Sequence, residues 1–207
     1  EEALAADPAI TGVLIQLSET STGVLHPVRE VARVTRQRDV LLVVDGISAV
    51  GLSPCPLDEW GLDCLLTGSQ KGLMLPPGLA LLALSERAWE KAANVTSGCF
   101  YFNLLKEREY VAKGQTLFTS AVNLIVGLDE SLDMLLENGL EAVYAKQWAL
   151  TMLTRAGVTA MGLDLFAPEH FAWGITSVLL PEGVDGTEVL RLALEKHGVC
   201  MAGGQDQ

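Results

Sequence analysis

Positive charge is what this sequence has least of. Lys and Arg total 14 against 26 Asp and Glu, giving a formal net charge of −12. A nucleic-acid partner needs a basic face, and an anionic membrane surface needs the same, so neither partner is expected. Long apolar runs are missing too. The longest, such as Leu79 to Leu84, are strand-sized and far short of the ~18 residues of a membrane-crossing helix. The Glu1-Glu2 start is not the basic region of a signal peptide. Cysteine is sparse and scattered at Cys55, Cys64, Cys99 and Cys200, with no Cys-x-x-Cys pair. That pattern excludes a disulfide framework or a zinc site and points to free thiols in a reducing, cytoplasmic setting. His26, His170 and His197 are too far apart in sequence to suggest a metal cluster.

What the chain does have is apolar mass. Its 207 residues are 49% hydrophobic and 19% charged, enough to bury a real core and unlike a disordered chain. Ile10 to Leu17, Val40 to Asp45, Leu62 to Thr67 and Leu79 to Leu84 read as strands without polar alternation. Val28 to Arg38 reads as an amphipathic helix, with four arginines set against Val28, Val31, Ala32 and Val34. A short turn or helix spans Leu57 to Gly61, and Ser85 is placed to cap a helix over Glu86 to Ala93. Such strands, separated by helices, predict a parallel sheet covered on both faces.

The second half changes character. Asn94 to Gly114 reads as irregular. Ala121 to Glu137 and Leu140 to Ala156 read as long helices broken at Asn138-Gly139, with Gly157 closing the second. Beyond Gly162, Ser177 to Leu180, Thr187 to Lys196 and Val199 to Ala202 read as strand, helix, strand, a small α/β layer. The domain boundary falls near residue 139, dividing 1–138 from 139–207.

Ligands of a parallel sheet sit beyond the carboxyl ends of its strands. Asp45 stands there, before Gly46; it is either a turn residue or an acceptor for a cationic ring nitrogen or a metal. Lys71 follows Thr67-Gly-Ser-Gln70 at another strand end, and is either a solvated lysine or one that condenses with an aldehyde cofactor. No Gly-x-x-x-x-Gly-Lys phosphate loop is present. Pyridoxal phosphate asks for both groups at once, a lysine for its aldehyde and an acid for its pyridinium nitrogen.

Three segments carry a resemblance: Thr20-Ser-Thr-Gly23, Val44-Asp-Gly-Ile-Ser-Ala-Val50, and Gly68-Ser-Gln-Lys71 followed by Pro76-Pro-Gly78. With them the chain resembles the class V aminotransferases of pyridoxal-phosphate fold type I. It is most similar to the alanine–glyoxylate and serine–glyoxylate (serine–pyruvate) group, some of whose cyanobacterial relatives are labelled soluble hydrogenase small subunit. The resemblance implies pyridoxal 5'-phosphate as cofactor and small amino acids and 2-oxo acids as substrates. It makes Lys71 the cofactor's lysine and the proton shuttle, and Asp45 the ring-nitrogen partner. Ile47 lies against one ring face, Thr20 contacts the cofactor near its phenolic oxygen, and Gln70 contacts the phosphate. Lys113-Gly-Gln-Thr116 resembles the loop that reaches a neighbouring subunit's phosphate, with Thr116 as the contact, which implies a homodimer with shared active sites.

The family pattern also has an N-terminal phosphate-binding turn, a stacking aromatic and a C-terminal arginine for the substrate carboxylate; none has a match here. The expectation is a chain truncated at both ends, weak or inactive by itself. Two other readings remain: a non-catalytic or hydrogenase-labelled subunit that keeps the fold, and a cysteine desulfurase or related lyase. The first finds no iron–sulfur cysteine spacing, and the second no cysteine on a recognisable catalytic loop.

Overall fold

The computed structural model describes residues 1–96 and 98–204. A short helix α1 (Glu2–Ala6) leads into strand β1 (Gly12–Gln16), helix α2 (Val28–Gln37), strand β2 (Leu41–Asp45), the single turn α3 (Leu57–Trp60) and strand β3 (Cys64–Gly68). Strand β4 (Ala80–Leu84) and helices α4 (Glu86–Ala93), α5 (Leu104–Val111), α6 (Val122–Leu136), α7 (Leu140–Ala160) and α8 (Gly186–His197) follow. The four strands form one sheet in the order β1-β2-β3-β4.

β1, β2 and β3 run parallel, with Gln16 beside Asp45 and Asp45 beside Leu66. β4 is the antiparallel member of this mainly parallel sheet: it pairs antiparallel to β3, Gly68 opposite Ala80. The reason is the connection. Residues 69–79 contain no helix, and a return to a parallel neighbour requires a crossover of a dozen or more residues, usually helical. The sheet is parallel at its centre with one antiparallel edge, and residues 69–79 become a broad loop beyond the end of β3.

The core lies under α2. Leu17, Val28, Ala32, Leu42, Val44, Ala49 and Leu62 are all buried and form one cluster. Val28 and Ala32 lie one turn apart and so share the face of α2 turned to the sheet, while Arg29, Arg33 and Arg36 are exposed.

At the opposite end of the strands from their carboxyl termini, one ion pair ties the layers together. Asp63 is 2% exposed. Its Oδ2 accepts from the Leu42 N–H at 2.8 Å and from Arg87 Nη2 at 2.8 Å, and its Oδ1 accepts from Arg87 Nε at 2.9 Å and Ser85 Oγ at 3.1 Å. Arg87 Nη2 also donates to the Val40 carbonyl at 2.6 Å. Burial pushes the Asp63 carboxyl upward. The Arg87 fork, the Leu42 amide and the Ser85 hydroxyl outweigh it and hold it below the usual carboxylate range. Ser85 also caps α4, accepting from the Ala88 N–H as its sequence position suggests.

The second half differs from the sequence reading in three places. Residues 94–114 are not wholly irregular: Asn103 Oδ1 accepts from the Lys106 N–H at 3.1 Å and starts α5. Gly157 does not close its helix; α7 continues through it to Ala160, and Gly162, at φ +77°, turns the chain. One helical glycine costs only about 1 kcal/mol against alanine, less than the following turn of helix returns. The strands expected at 177–180 and 199–202 do not form among the described residues. The first makes one antiparallel bridge, Leu165 with Val178, and the second has no regular structure. α8 forms as expected, capped by Asp185.

After α7 the chain returns to the loop beyond β1. The Leu25 N–H donates to the His170 carbonyl at 2.6 Å and the Ala172 N–H to the Gly23 carbonyl at 2.8 Å. α7 grips the same segment: Gln147 Nε2 donates to the Trp173 carbonyl at 2.8 Å, Thr151 Oγ1 donates to that carbonyl too, and Trp148 stacks on Phe171 at 5.6 Å. The buried Arg155 guanidinium lies 3.6 Å from the Phe171 ring centre and donates to the Ala167 and Pro168 carbonyls.

Removing one member of a buried ion pair strands the other. Arg87→Ala is expected to lower the free energy of unfolding by about 3–5 kcal/mol. Because the folded Asp63 value is depressed, its contribution is present above the ordinary carboxylate value of 3.8 and is lost as pH falls through the folded value. Urea titrations at pH 7 and pH 3 therefore show a smaller gap between wild type and Arg87→Ala at the lower pH. At Gly157, mid-helix, an added Cβ would meet nothing within 4 Å. Gly157→Ala should raise stability by about 0.5–1 kcal/mol in the same titration.

Candidate active site

The carboxyl ends of β1, β2 and β3 open into a crevice of about 640 Å³, within the ordinary range for small-molecule sites. Its lining includes Thr20 from the loop after β1, Asp45 and Ile47 from the end of β2, and Lys71 from the loop after β3. These four sequence candidates are brought together. Gln70 is exposed and absent from that lining; its Oε1 lies 2.6 Å from where a Cβ on Gly68 would be, so the amide is folded back over its own loop. Thr116 is exposed between α5 and α6, also outside the lining.

Asp45 is the turn residue of its first reading, and it also lines the crevice. Its Oδ1 accepts from the Ile47 N–H at 2.8 Å, which makes the turn. Among the described residues Oδ2 has no hydrogen-bond partner, and neither Asp45 nor Lys71 enters an ion pair.

Lys71 is exposed, and its backbone is tightly held. Ser69 is fully buried; its Oγ donates to the Pro76 carbonyl at 2.7 Å and accepts from the Leu79 N–H at 3.2 Å. The Met74 N–H donates to the Lys71 carbonyl at 2.9 Å, and Ser131 Oγ on α6 donates to the Leu73 carbonyl at 2.6 Å. Gly72 presses on the loop after β2 so closely that a Cβ there would stand 2.2 Å from the Val50 carbonyl oxygen. The facing Gly51 adopts φ +81°.

The loop after β1 is equally fixed. Glu19 Oε2 accepts from Gln16 Nε2 at 2.6 Å, and Oε1 accepts from the Ser21 N–H at 2.8 Å and Ser21 Oγ at 2.7 Å. The Ser21 amide, the Gln16 amide group and the Ser21 hydroxyl pull the Glu19 carboxyl down to about 2. Thr20 Oγ1 and Ser48 Oγ are 2.8 Å apart, joining the loops after β1 and β2. Glu19, Ser48 and Ser18 also line the crevice; they fall in the strand-end segments where a ligand is expected, but the sequence assigns them no role.

Pyridoxal phosphate fits these residues. A lysine and a carboxylate line one crevice, neither committed to an ion pair among the described residues, and Ile47 offers an apolar surface beside them. The buried Ser18 hydroxyl lining the same crevice has no hydrogen-bond partner, a polar atom that awaits a ligand or water. Among the described residues no group of three or more His, Cys, Asp or Glu is placed to hold a metal ion, and no helix is long and apolar enough to cross a membrane.

Comparison with known proteins decides the family. The model of the class-V aminotransferases matches residues 2–206. The chain belongs to the class-V aminotransferase family. Among its class-V relatives, a protein of Synechococcus sp. named "Soluble hydrogenase, small subunit" is 38% identical over 195 residues, covering 94% of this chain and 51% of the relative. A serine–glyoxylate aminotransferase of Methylorubrum extorquens is 37% identical over 219 residues, covering 100% of this chain and 54% of the relative. The crystal structure of an alanine–glyoxylate aminotransferase from Nostoc sp. superposes with a TM-score of 0.91 at 28% identity, covering 100% of this chain and 55% of that one. The chain thus spans about half the length of the relatives it matches. Its mixed sheet with a parallel centre is that of the pyridoxal-phosphate-dependent aminotransferases.

Gly72→Ala should be strongly destabilising, because the obstacle is backbone and not a flexible side chain. A loss of roughly 2 kcal/mol or more is expected, read as a fall in the midpoint of thermal unfolding. Gly183→Ser is the control for glycine replacement: that site is unobstructed, so only the modest strain of its φ of +79° applies.

Proposed function

We propose that the protein is a pyridoxal-phosphate-dependent aminotransferase that moves an amino group between a small amino acid, alanine or serine, and glyoxylate or pyruvate. The observation that carries this reading is the meeting of Lys71, Asp45, Thr20 and Ile47 in one crevice at the carboxyl ends of three strands. The activities for which class-V relatives are named, serine–glyoxylate and alanine–glyoxylate transamination, support the substrate class.

When bound, pyridoxal phosphate supplies an electron sink for the negative charge that develops at the substrate Cα. The protein's residues do the rest. The Asp45 carboxylate, its turn fixed by the Ile47 amide, accepts a hydrogen bond from the ring nitrogen and keeps that nitrogen protonated. The Lys71 amine holds the cofactor in its resting state. Its Nζ, when free, would take the Cα proton and return a proton during transfer. Ile47 would lie against the ring, and Thr20 would offer its hydroxyl to the phenolic oxygen. Gln70, on the rim beside Lys71, serves the phosphate.

Thr116 lies outside the crevice, as a residue offered to a neighbouring subunit does, and we assign it to the phosphate of a homodimer partner. Residues 1–138 form the cofactor-binding domain and 139–207 belong to a second, smaller one. The scattered cysteines and acidic surface suit the cytoplasm.

The test is borohydride reduction in the presence of pyridoxal phosphate, followed by peptide mapping. A pyridoxyl group on Lys71 is the expected product; a label on another of the lysines, or none, would overturn the assignment.

A further inference from the structure

We propose that Ser48 is a positioning residue for Thr20: it holds the Thr20 hydroxyl in the one orientation that points its proton at the cofactor's phenolic oxygen. This rests on the pyridoxal-phosphate reading of the crevice. Thr20 is exposed at the crevice wall, where a threonine side chain ordinarily exchanges between staggered rotamers. Its backbone does not share that freedom. Glu19 on one side accepts from both the amide and the hydroxyl of Ser21 on the other, the Glu19 N–H donates to the Val24 carbonyl at 2.9 Å, and the Gly23 N–H donates to the Glu19 carbonyl at 2.9 Å. What remains free is rotation about Cα–Cβ. Ser48 Oγ, 2.8 Å from Thr20 Oγ1, removes that last freedom, and among the described residues it is the only hydrogen-bond partner of Thr20 Oγ1.

Proton counting gives the bond a direction. A hydroxyl owns one proton. If Thr20 donates into the crevice, its oxygen must accept from Ser48, so Ser48 is the donor in the loaded state. The donation also polarises the Thr20 O–H and strengthens its bond to a negative oxygen. Ser48 is itself carried by the turn that Asp45 Oδ1 fixes through the Ile47 amide. The carboxylate that meets the ring nitrogen and the hydroxyl that meets the ring oxygen are thereby set by one short segment.

The experiment reads cofactor binding and side-chain order separately. In the protein without cofactor, three-bond couplings to the Thr20 methyl carbon report its χ1; wild type should show one rotamer and Ser48→Ala an average. The dissociation constant for pyridoxal phosphate, measured by fluorescence titration, should rise roughly three- to tenfold in Ser48→Ala, the cost of one hydrogen bond. Ser48→Thr should restore it, and the thermal midpoint should stay at the wild-type value. In a Thr20→Val background Ser48→Ala should cost nothing further. Equal binding by wild type and Ser48→Ala, or an undiminished loss in the Thr20→Val background, overturns the positioning role while leaving the cofactor reading intact. A wild-type protein that takes up no pyridoxal phosphate overturns the cofactor reading, and the positioning role falls with it.

Discussion

The Asp63–Arg87 fork is the interaction on which the rest of the structure depends. It gathers the start of β2 through the Leu42 amide, the start of β3 through Asp63 itself, and the start of α4 through Ser85 and Arg87. A buried carboxylate is tolerable only when its oxygens are filled, and here both are filled twice. With the amino ends of the strands clamped in register, the carboxyl ends are left to splay into loops. That polarity, a satisfied charge at one end of the sheet and unspent charges at the other, is what gives the molecule a binding face.

At the open end, stiffness replaces charge pairing. Three loops leave β1, β2 and β3, and each is fixed by its own short-range bonds: Glu19 with Gln16 and Ser21, Asp45 with the Ile47 amide, Ser69 with Pro76 and Leu79. None of these bonds uses up the atoms proposed for chemistry. Asp45 spends one oxygen on its turn and keeps the other. Lys71 contributes only its backbone carbonyl to the loop. Function is carried by side chains whose main chain is over-determined, as a site that must meet a cofactor without reorganising requires.

Much of this was legible in the sequence. The four strands were found because they are nearly continuous apolar runs, and α2 because its arginines alternate with valines at helical spacing. Asp45 and Lys71 stood out because parallel strands end where ligands bind, and the two together match one cofactor. The antiparallel turn of β4 was hidden because strand direction depends on what the connection contains, and residues 69–79 carry no helical period. Gly157 misled because a glycine's local cost was weighed without the helix that continues past it. The expected strands at 177–180 and 199–202 had strand-like composition, but a strand exists only with a partner along its length, and composition cannot supply one. Ser48 and Glu19 lie in strand-end segments where ligands are expected, but their roles could not be read there, because these depend on partners on a neighbouring loop or within a turn and not on any pattern of residue types.

The contact between Gly72 and the Val50 carbonyl has a mechanical consequence. With no side chain between them, the loops that carry Lys71 and Asp45 abut backbone to backbone, and neither can slide or rock without driving the other. The backbone positions that carry the amine and the carboxylate therefore keep their separation as a fixed gauge length. The Thr20 loop is tied to the same frame by the Thr20–Ser48 hydrogen bond, and the stretch from His170 to Trp173 is bonded to that loop in turn. What can adjust to a ligand is the exposed Lys71 side chain, an arm that swings from a fixed pivot.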